Sequence, residues 1–391
     1  MILPDFKKGS LVNLMSSVLG GYGISNGYDP LSVLKTEEVA ASKNVVLIVL
    51  DGLGYNYLIS HAKGTIFQKY LRGKITSVFP SITATAITTF LTGVAPGEHG
   101  ITAWFMYLKE LGMVARILPF TSRFGHLDLK TAKVDPRTIF DHLPIFEKLK
   151  VKSYAVNHRD LAKSQYNVAN NSGARINDYR TLVEFFGKIE RIIKATPGKK
   201  YISAYWGKFD ELCHKNGVKS KAVKKHFKEL ASGFEALVSS LAGTNSLLIV
   251  TADHGLMNVK KSERVNLKDH PELSEVLAVP LCGEPRIAYC YVRPGKTKQF
   301  EEYVKKNLGK YCTMKKSEEL VKMGWFGFGK AHPRLLERIG DYTLIMKENY
   351  IILDRMLGEK EVTHIGFHGG ISSDEMLVPL VVIPLMGAQK Y

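Results

Sequence analysis

Three aspartates stand where strand-like runs give out: Asp51 after "NVVLIVL", Asp210 closing "YISAYWGKFD", and Asp253 in "LLIVTADHG". His214 and His254 follow close behind, and His368 lies in the glycine-rich "GFHGGISSDE" before a last apolar run. Carboxylate oxygens and imidazole nitrogens are natural ligands of zinc and similar divalent ions. Asp210 and His214 are four residues apart, so one helical turn sets both on one face. Asp253 and His254 are adjacent, which serves one ion only where the backbone turns, and "ADHG" places a glycine there. Taken singly, an aspartate after a strand is an ordinary turn or cap residue, and a lone histidine an ordinary core group. The convergence of the whole set on strand ends is what points to a metal site.

A further candidate lies in "FPSITATAITTFLTG", where Ser81, Thr83, Thr85, Thr88, Thr89 and Thr92 crowd the start of an expected helix. A helix beginning near residue 83 turns its free N–H groups and positive dipole end toward an anion. A hydroxyl held there by a divalent cation is partly ionised at neutral pH, which makes it a nucleophile. The competing reading is that Thr83 or Ser81 is an N-cap, which calls for the same residue types. Locally both readings stand. The hydroxyls further along are expected to pack or to bond back to the preceding turn.

Such side chains must be brought together by a scaffold. Short β-branched runs at 44–50, 201–210 and 247–255 alternate with amphipathic stretches at 142–149, 180–194 and 218–242. That alternation predicts an α/β fold with a mostly parallel sheet, in which functional groups gather beyond the carboxyl ends of the strands. From about 265 to 350 the texture changes to short strands and helices in a Lys-rich, Pro-punctuated context. The expected organisation is a catalytic core of 1–264 plus 351–391, with 265–350 as a small inserted α+β cap subdomain. The main sheet resumes at "EMLVPLVVI".

At 391 residues and 45% hydrophobic content, the chain can bury a large core. Its longest apolar runs fall short of the roughly 20 residues of a membrane helix, so no span is expected. The N-terminus makes a poor signal peptide, and the protein is expected to be cytoplasmic. Cys213, Cys282, Cys290 and Cys312 have no C-x-x-C spacing and read as inert thiols. The net charge of +17 favours phosphate-bearing partners, whether small substrates or nucleic acid, although any single lysine run also suits a solvated helix face.

Together these residues resemble the alkaline phosphatase superfamily, and most closely its type I phosphodiesterase/nucleotide pyrophosphatase family. "DGLG" after the first strand, "FPS-x-T" leading into a helix, "TG-x-x-P-x-x-HG", "D-x-x-x-H", "ADHG" and a late "HGG" occur in the family's order. The match runs from about 44 to 255 and again from 361 to 385. The resemblance implies an alkaline-phosphatase-like sheet and two divalent ions about 4 Å apart, zinc before manganese or iron. One ion falls to Asp210, His214 and His368, and the other to Asp51, Asp253 and His254 with the Thr83 oxygen. It also implies that Thr83 attacks phosphorus, forming a phosphothreonine that water hydrolyses.

One departure bears on the substrate. Where the family carries an Asn shortly after "HGI", this chain has Trp104, which either stacks on a base or fills the core. Lys208, Arg116 or Arg123 could replace the lost polar clamp, or be surface residues. The expected activity is a metal-dependent phosphodiesterase or nucleotide pyrophosphatase acting on small phosphate esters. The alternatives are a phosphomonoesterase, phosphonate hydrolase or phosphomutase of the same superfamily, or a catalytically silent nucleic-acid-binding module. A sulfatase is disfavoured, because no C-x-P-x-R or S-x-P-x-R surrounds residue 83.

Overall fold

The run "NVVLIVL" folds as strand β1 (Asn44–Leu50), buried along its whole length. β-branched and aliphatic side chains on both faces of a strand demand cover on both sides, as a central position in a helix-flanked sheet provides. In the computed structural model, which describes residues 1–386, β1 is the middle of seven strands. The others are β2 (Leu71–Thr76), β3 (Lys152–His158), β4 (Arg175–Tyr179), β5 (Lys200–Trp206), β6 (Ser246–Thr251) and β7 (Leu377–Leu385). Their order is β2-β7-β6-β1-β5-β3-β4. β6, β1, β5, β3 and β4 run parallel, while β7 pairs antiparallel with both β6 and β2.

Register fixes where the chemistry goes. Leu50 pairs with Trp206, and Val49 pairs with both Tyr205 and Thr251. The segments carrying Asp51, Asp210 and Asp253 therefore leave the sheet side by side at one edge.

Five helices matter to the packing: α1 (Leu11–Gly20), α2 (Thr83–Thr92), α3 (Leu182–Ala195), α4 (Lys208–Asn216) and α5 (Lys221–Ser240). In α3 the buried set Phe185, Phe186, Ile189, Ile192 and Ile193 follows a helical period, and Thr181 caps the start by accepting from the Glu184 N–H. α5 buries Val223, Phe227, Leu230, Phe234 and Leu237. The two helices meet where Phe186 and Phe234 lie edge to face, 5.1 Å between centroids.

A second, antiparallel sheet of seven strands takes Cys282–Glu284, Ile287–Cys290, Cys312–Lys316 and Tyr342–Met346 from the 265–350 segment. It is completed by Phe105–Leu108, Met113–Arg116 and Thr121–Ser122. The segment has its own apolar cluster, including Leu273, Phe300 and Leu344, yet shares its sheet with residues 105–122. Among the described residues, no helix is long and apolar enough to cross a membrane. The four cysteines are buried and unpaired.

Candidate active site

α2 begins at Thr83 with Ile82 in the N-cap position, and no side chain caps it. Neither capping reading therefore holds: Ser81 Oγ instead donates to the Gly370 carbonyl at 2.8 Å. Of the six hydroxyls in this stretch, only Thr83 is not buried. Thr88 and Thr92 bond back to the carbonyls of Ala84 and Thr88, at 2.6 and 2.7 Å. The Thr83 hydroxyl is left facing the loops at the sheet edge, with Oγ1 3.1 Å from His254 Nε2.

Asp51, Asp253 and His254 meet through a close approach of two loops. Asp253 Oδ1 accepts from the N–H groups of Gly52 and His254, each at 3.0 Å, which ties "DGLG" to "ADHG". A Cβ on Gly255 would lie 2.1 Å from the Asp374 carbonyl oxygen and 2.8 Å from the Gly54 Cα, so only glycine admits this contact. His254 Nε2 lies 3.5 Å from Asp51 Oδ1 and 3.3 Å from Asp253 Oδ2.

The spacing of Asp210 and His214 does place both on one face of α4, with Oδ2 and Nε2 3.2 Å apart. His368 arrives from the last glycine-rich loop, its ring stacked on His254 at 3.7 Å and 5.1 Å from His214. All six metal-ligand candidates and Thr83 thus converge.

All three histidines are held in the same way. Nδ1 of His214, His254 and His368 faces a backbone carbonyl, that of Gly366, Gly255 and Ser81 respectively, at 2.8, 3.2 and 3.1 Å. A carbonyl only accepts, so Nδ1 carries the hydrogen and Nε2 is presented to the site, the usual arrangement of metal-binding histidines. Three buried carboxylate oxygens, Asp51 Oδ1, Asp210 Oδ1 and Asp253 Oδ2, have no hydrogen-bond partner. Buried carboxylate oxygens are rarely left so unless a cation belongs there. One ligand atom each from Asp51, Asp253 and His254 lies within 4.8 Å of the others, and the same is true of Asp210, His254 and His368. The donor set fits divalent ions, with His254 reaching both groups.

The electrostatics agree. Burial pushes the Asp51 carboxyl well above the usual range, and the like charges of Asp253 and Asp210 add to it. At Asp210 burial acts the same way, but His214, then His368 and His254, outweigh it and hold the carboxyl below the ordinary range. Burial disfavours the charged form of His214, yet Asp210 outweighs it and raises the ring to about 9. A crowd of carboxylates so deeply buried is relieved by bound positive charge.

Asp51, Thr83, Asp210, His214 and His368 line a cavity of about 1260 Å³ whose walls include Trp104, Phe105, Leu118, Leu161 and Leu182. Trp104 is half-buried on that wall and does not fill the core. Lys208 lines the cavity but is paired with Glu211 at 2.7 Å. Arg123 is neither a surface residue nor a free clamp: it is buried, its Nε 2.9 Å from Glu359. Arg116 lines a neighbouring cavity.

Sequence reasoning missed Tyr205, whose hydroxyl donates to Asp51 Oδ2. It also missed Glu284, a wall residue whose carboxyl burial pushes up to about 8, and Glu375, which braces the loops. Strand alternation could have put Tyr205 at the edge, since it pairs with Val49, two residues before Asp51. Nothing local marks Glu284.

A parallel sheet with acidic and histidine-bearing loops at its carboxyl edge, facing a threonine at a helix start, defines a phosphoryl-transfer hydrolase. The family model for type I phosphodiesterase / nucleotide pyrophosphatase matches residues 45–371, and the chain belongs to that family, within the alkaline phosphatase superfamily. The solved murine ectonucleotide pyrophosphatase/phosphodiesterase 5 is similar in fold, with TM-score 0.66 and 18% identity over 86% of this chain and 87% of that one. Phosphonoacetate hydrolase from Sinorhizobium meliloti is similar at TM-score 0.61 and 16% identity, over 90% of this chain and 92% of that one. No curated protein matches the chain in sequence.

Proposed function

We propose that the protein is a divalent-metal-dependent phosphodiesterase or nucleotide pyrophosphatase that uses Thr83 as its nucleophile. The observation that carries this is the shared setting of His214, His254 and His368, each with Nδ1 held by a carbonyl, gathered beside three buried carboxylate oxygens that have no hydrogen-bond partner. Asp51, Asp253 and His254 would hold one ion with the Thr83 oxygen, and Asp210, His214 and His368 the other. When bound, zinc, or manganese or iron in its place, supplies Lewis acidity to the nucleophile and to the phosphoryl oxygens.

The chain's own groups do the positioning. The uncapped first turn of α2 points backbone N–H groups and the helix dipole at the phosphoryl group, where negative charge builds up during displacement. Thr83 Oγ1 lies 3.1 Å from His254 Nε2, close enough for both to reach the same ion, which would ease loss of the hydroxyl proton. Thr83 Oγ forms a bond to phosphorus in line as the bond to the leaving oxygen breaks and that oxygen takes up a proton. A monoester leaves phosphothreonine, whereas a diester leaves a threonine adduct still carrying its second substituent. Water then cleaves the bond from phosphorus to Thr83 Oγ and restores the hydroxyl.

Support also comes from the neighbours. An inactive threonine-to-alanine variant of the murine protein was solved in complex with AMP, which favours a nucleotide-sized ligand here. A monoesterase or phosphonate hydrolase is the second reading, favoured by the apolar Trp104 on the cavity wall and by the phosphonoacetate hydrolase likeness.

Turnover of bis(p-nitrophenyl) phosphate against p-nitrophenyl phosphate, with added Zn²⁺ or Mn²⁺, tests the proposal. Faster turnover of the diester, lost in Thr83→Ala, is expected. Preference for the monoester selects the second reading. No turnover of either ester overturns both and leaves the binding-module alternative.

A further inference from the structure

Beside the active-site cavity lies a second one, of about 810 Å³, which shares with it Trp104, Phe105, Glu284, Pro285 and Val362. The shared residues form a sill, so a ligand seated at Thr83 can extend over it. The far side is cationic. Arg116, Lys261, Arg264, Lys268, Arg355 and Lys360 line it, and none of the six makes an ion pair among the described residues.

The acids in the same wall do not cancel this charge. Asp354 and Glu359 are engaged with the buried Arg123, with Nη1–Oδ2 at 4.0 Å and Nε–Oε1 at 2.9 Å. Arg123 Nη1 and Nη2 are further tied to the carbonyls of Leu281 and Asp354. That leaves Glu284 on the sill and Glu361 against six unpaired cations.

Two of the arginines are also fixed in place. Arg116 Nε donates to Thr121 Oγ1 at 2.9 Å, and no acid meets its Nη atoms. Arg264 is pinned by Nη1 to the Val362 carbonyl at 2.7 Å and by Nη2 to the His364 carbonyl, while its buried Nε has no partner. A fixed guanidinium with free N–H groups is a preorganised donor site for phosphate oxygens. Like charges gathered in one concavity destabilise the fold unless an anion joins them.

We propose that this second cavity takes a phosphate group of the substrate that lies outside the ester or anhydride linkage attacked at Thr83, so that the natural substrate is a small molecule with a remote second phosphate. The inference rests on the proposed reaction at Thr83 and names the substrate class for it. The overall charge of +17 provides long-range attraction for such a ligand, and the cavity provides its local seat.

Calorimetric binding of adenosine 5′-monophosphate and adenosine 3′,5′-bisphosphate in the presence of Mn²⁺ tests it, with hydrolysis of bis(p-nitrophenyl) phosphate measured separately. The wild-type protein is expected to bind the bisphosphate at least about tenfold more tightly, the scale of a charge-assisted contact. The Arg116→Gln/Lys268→Gln variant, checked for an unchanged melting temperature, is expected to bind the two alike. Raising the salt should shrink the wild-type ratio as well. Equal affinities in the wild type, or an undiminished ratio in the folded variant, overturn the inference even if the ester is hydrolysed. A tenfold ratio without any ester hydrolysis keeps the phosphate seat and overturns the reaction assigned to Thr83.

Discussion

Arg286 and Glu375 form a two-pronged ion pair, Nε–Oε1 and Nη2–Oε2 both at 3.0 Å, with neither side chain reached by solvent. Glu375 is a hub for the loops of the candidate site. Its Oε1 accepts from the Gly370 N–H at 2.8 Å, which braces the loop of His368. Its backbone carbonyl accepts from the Gly255 N–H at 2.8 Å, which braces the loop of Asp253 and His254. The Gly370 carbonyl in turn holds Ser81 Oγ, and the Ser81 carbonyl holds His368 Nδ1. One buried pair thus ties the second sheet to both of these loops of candidate metal ligands and to the approach to Thr83.

Removing the charge at Glu375 leaves a buried guanidinium unpaired, which costs about 3–5 kcal/mol. Glu375→Gln is therefore expected to lower the urea midpoint strongly, and to reduce ester hydrolysis even under conditions where the protein is folded. The pair also sets an acid limit. Burial raises the Glu375 carboxyl, but Arg286 outweighs it, so the folded value lies below the ordinary 4.5. The stabilisation is complete above about pH 4.5 and lost as pH falls through the folded value. Urea titrations at pH 7 and pH 4 should show a steeper acid loss in wild type than in Glu375→Gln.

Gly255→Ala places a methyl group 2.1 Å from the Asp374 carbonyl oxygen, against backbone that cannot swing aside. Overpacking of this kind costs about 1–3 kcal/mol, and here it pushes His254 off the site. Weaker Mn²⁺ binding by calorimetry and a lower melting temperature are expected. Gly187, inside α3 with nothing within 4 Å of an added Cβ, is the contrast. Gly187→Ala should stabilise the protein by about 0.5–1 kcal/mol and leave metal binding unchanged.

Asp51 shares its buried surroundings with the charges of Asp253 and Asp210. In chelator-treated protein, Asp51→Asn relieves that repulsion, and the melting temperature is expected to rise. The same change removes a ligand oxygen, so the gain in melting temperature that Zn²⁺ or Mn²⁺ gives the wild type should shrink and hydrolysis should fall. Differential scanning fluorimetry with and without metal separates the two effects.

The sheet edge was legible because its strands are extreme in composition. "NVVLIVL" and "SLLIVT" are buried at every position, and the carboxylates follow within two residues. β3 and β4 passed unnoticed: "KSYAVNH" has polar ends, and the edge strand "RINDY" buries only Tyr179, so neither shows an apolar run. The Asp210 to His214 spacing was readable because helical geometry is local. Arg286 with Glu375, and Tyr205 with Asp51, are contacts across 89 and 154 positions, which no local pattern encodes. Among the hydroxyls near Thr83 the local pattern gave no order, and the family resemblance alone singled out Thr83; burial supplies the physical reason, since it leaves only Thr83 open.

The most direct measurement is rapid acid quenching of the enzyme during turnover of p-nitrophenyl phosphate with Zn²⁺, followed by peptide mass spectrometry of residues 79–93. Phosphate on Thr83, absent from Thr83→Ala and from chelator-treated enzyme, is the expected result. Undiminished hydrolysis by Thr83→Ala, or phosphate trapped on another residue, would contradict the assignment of Thr83 as nucleophile.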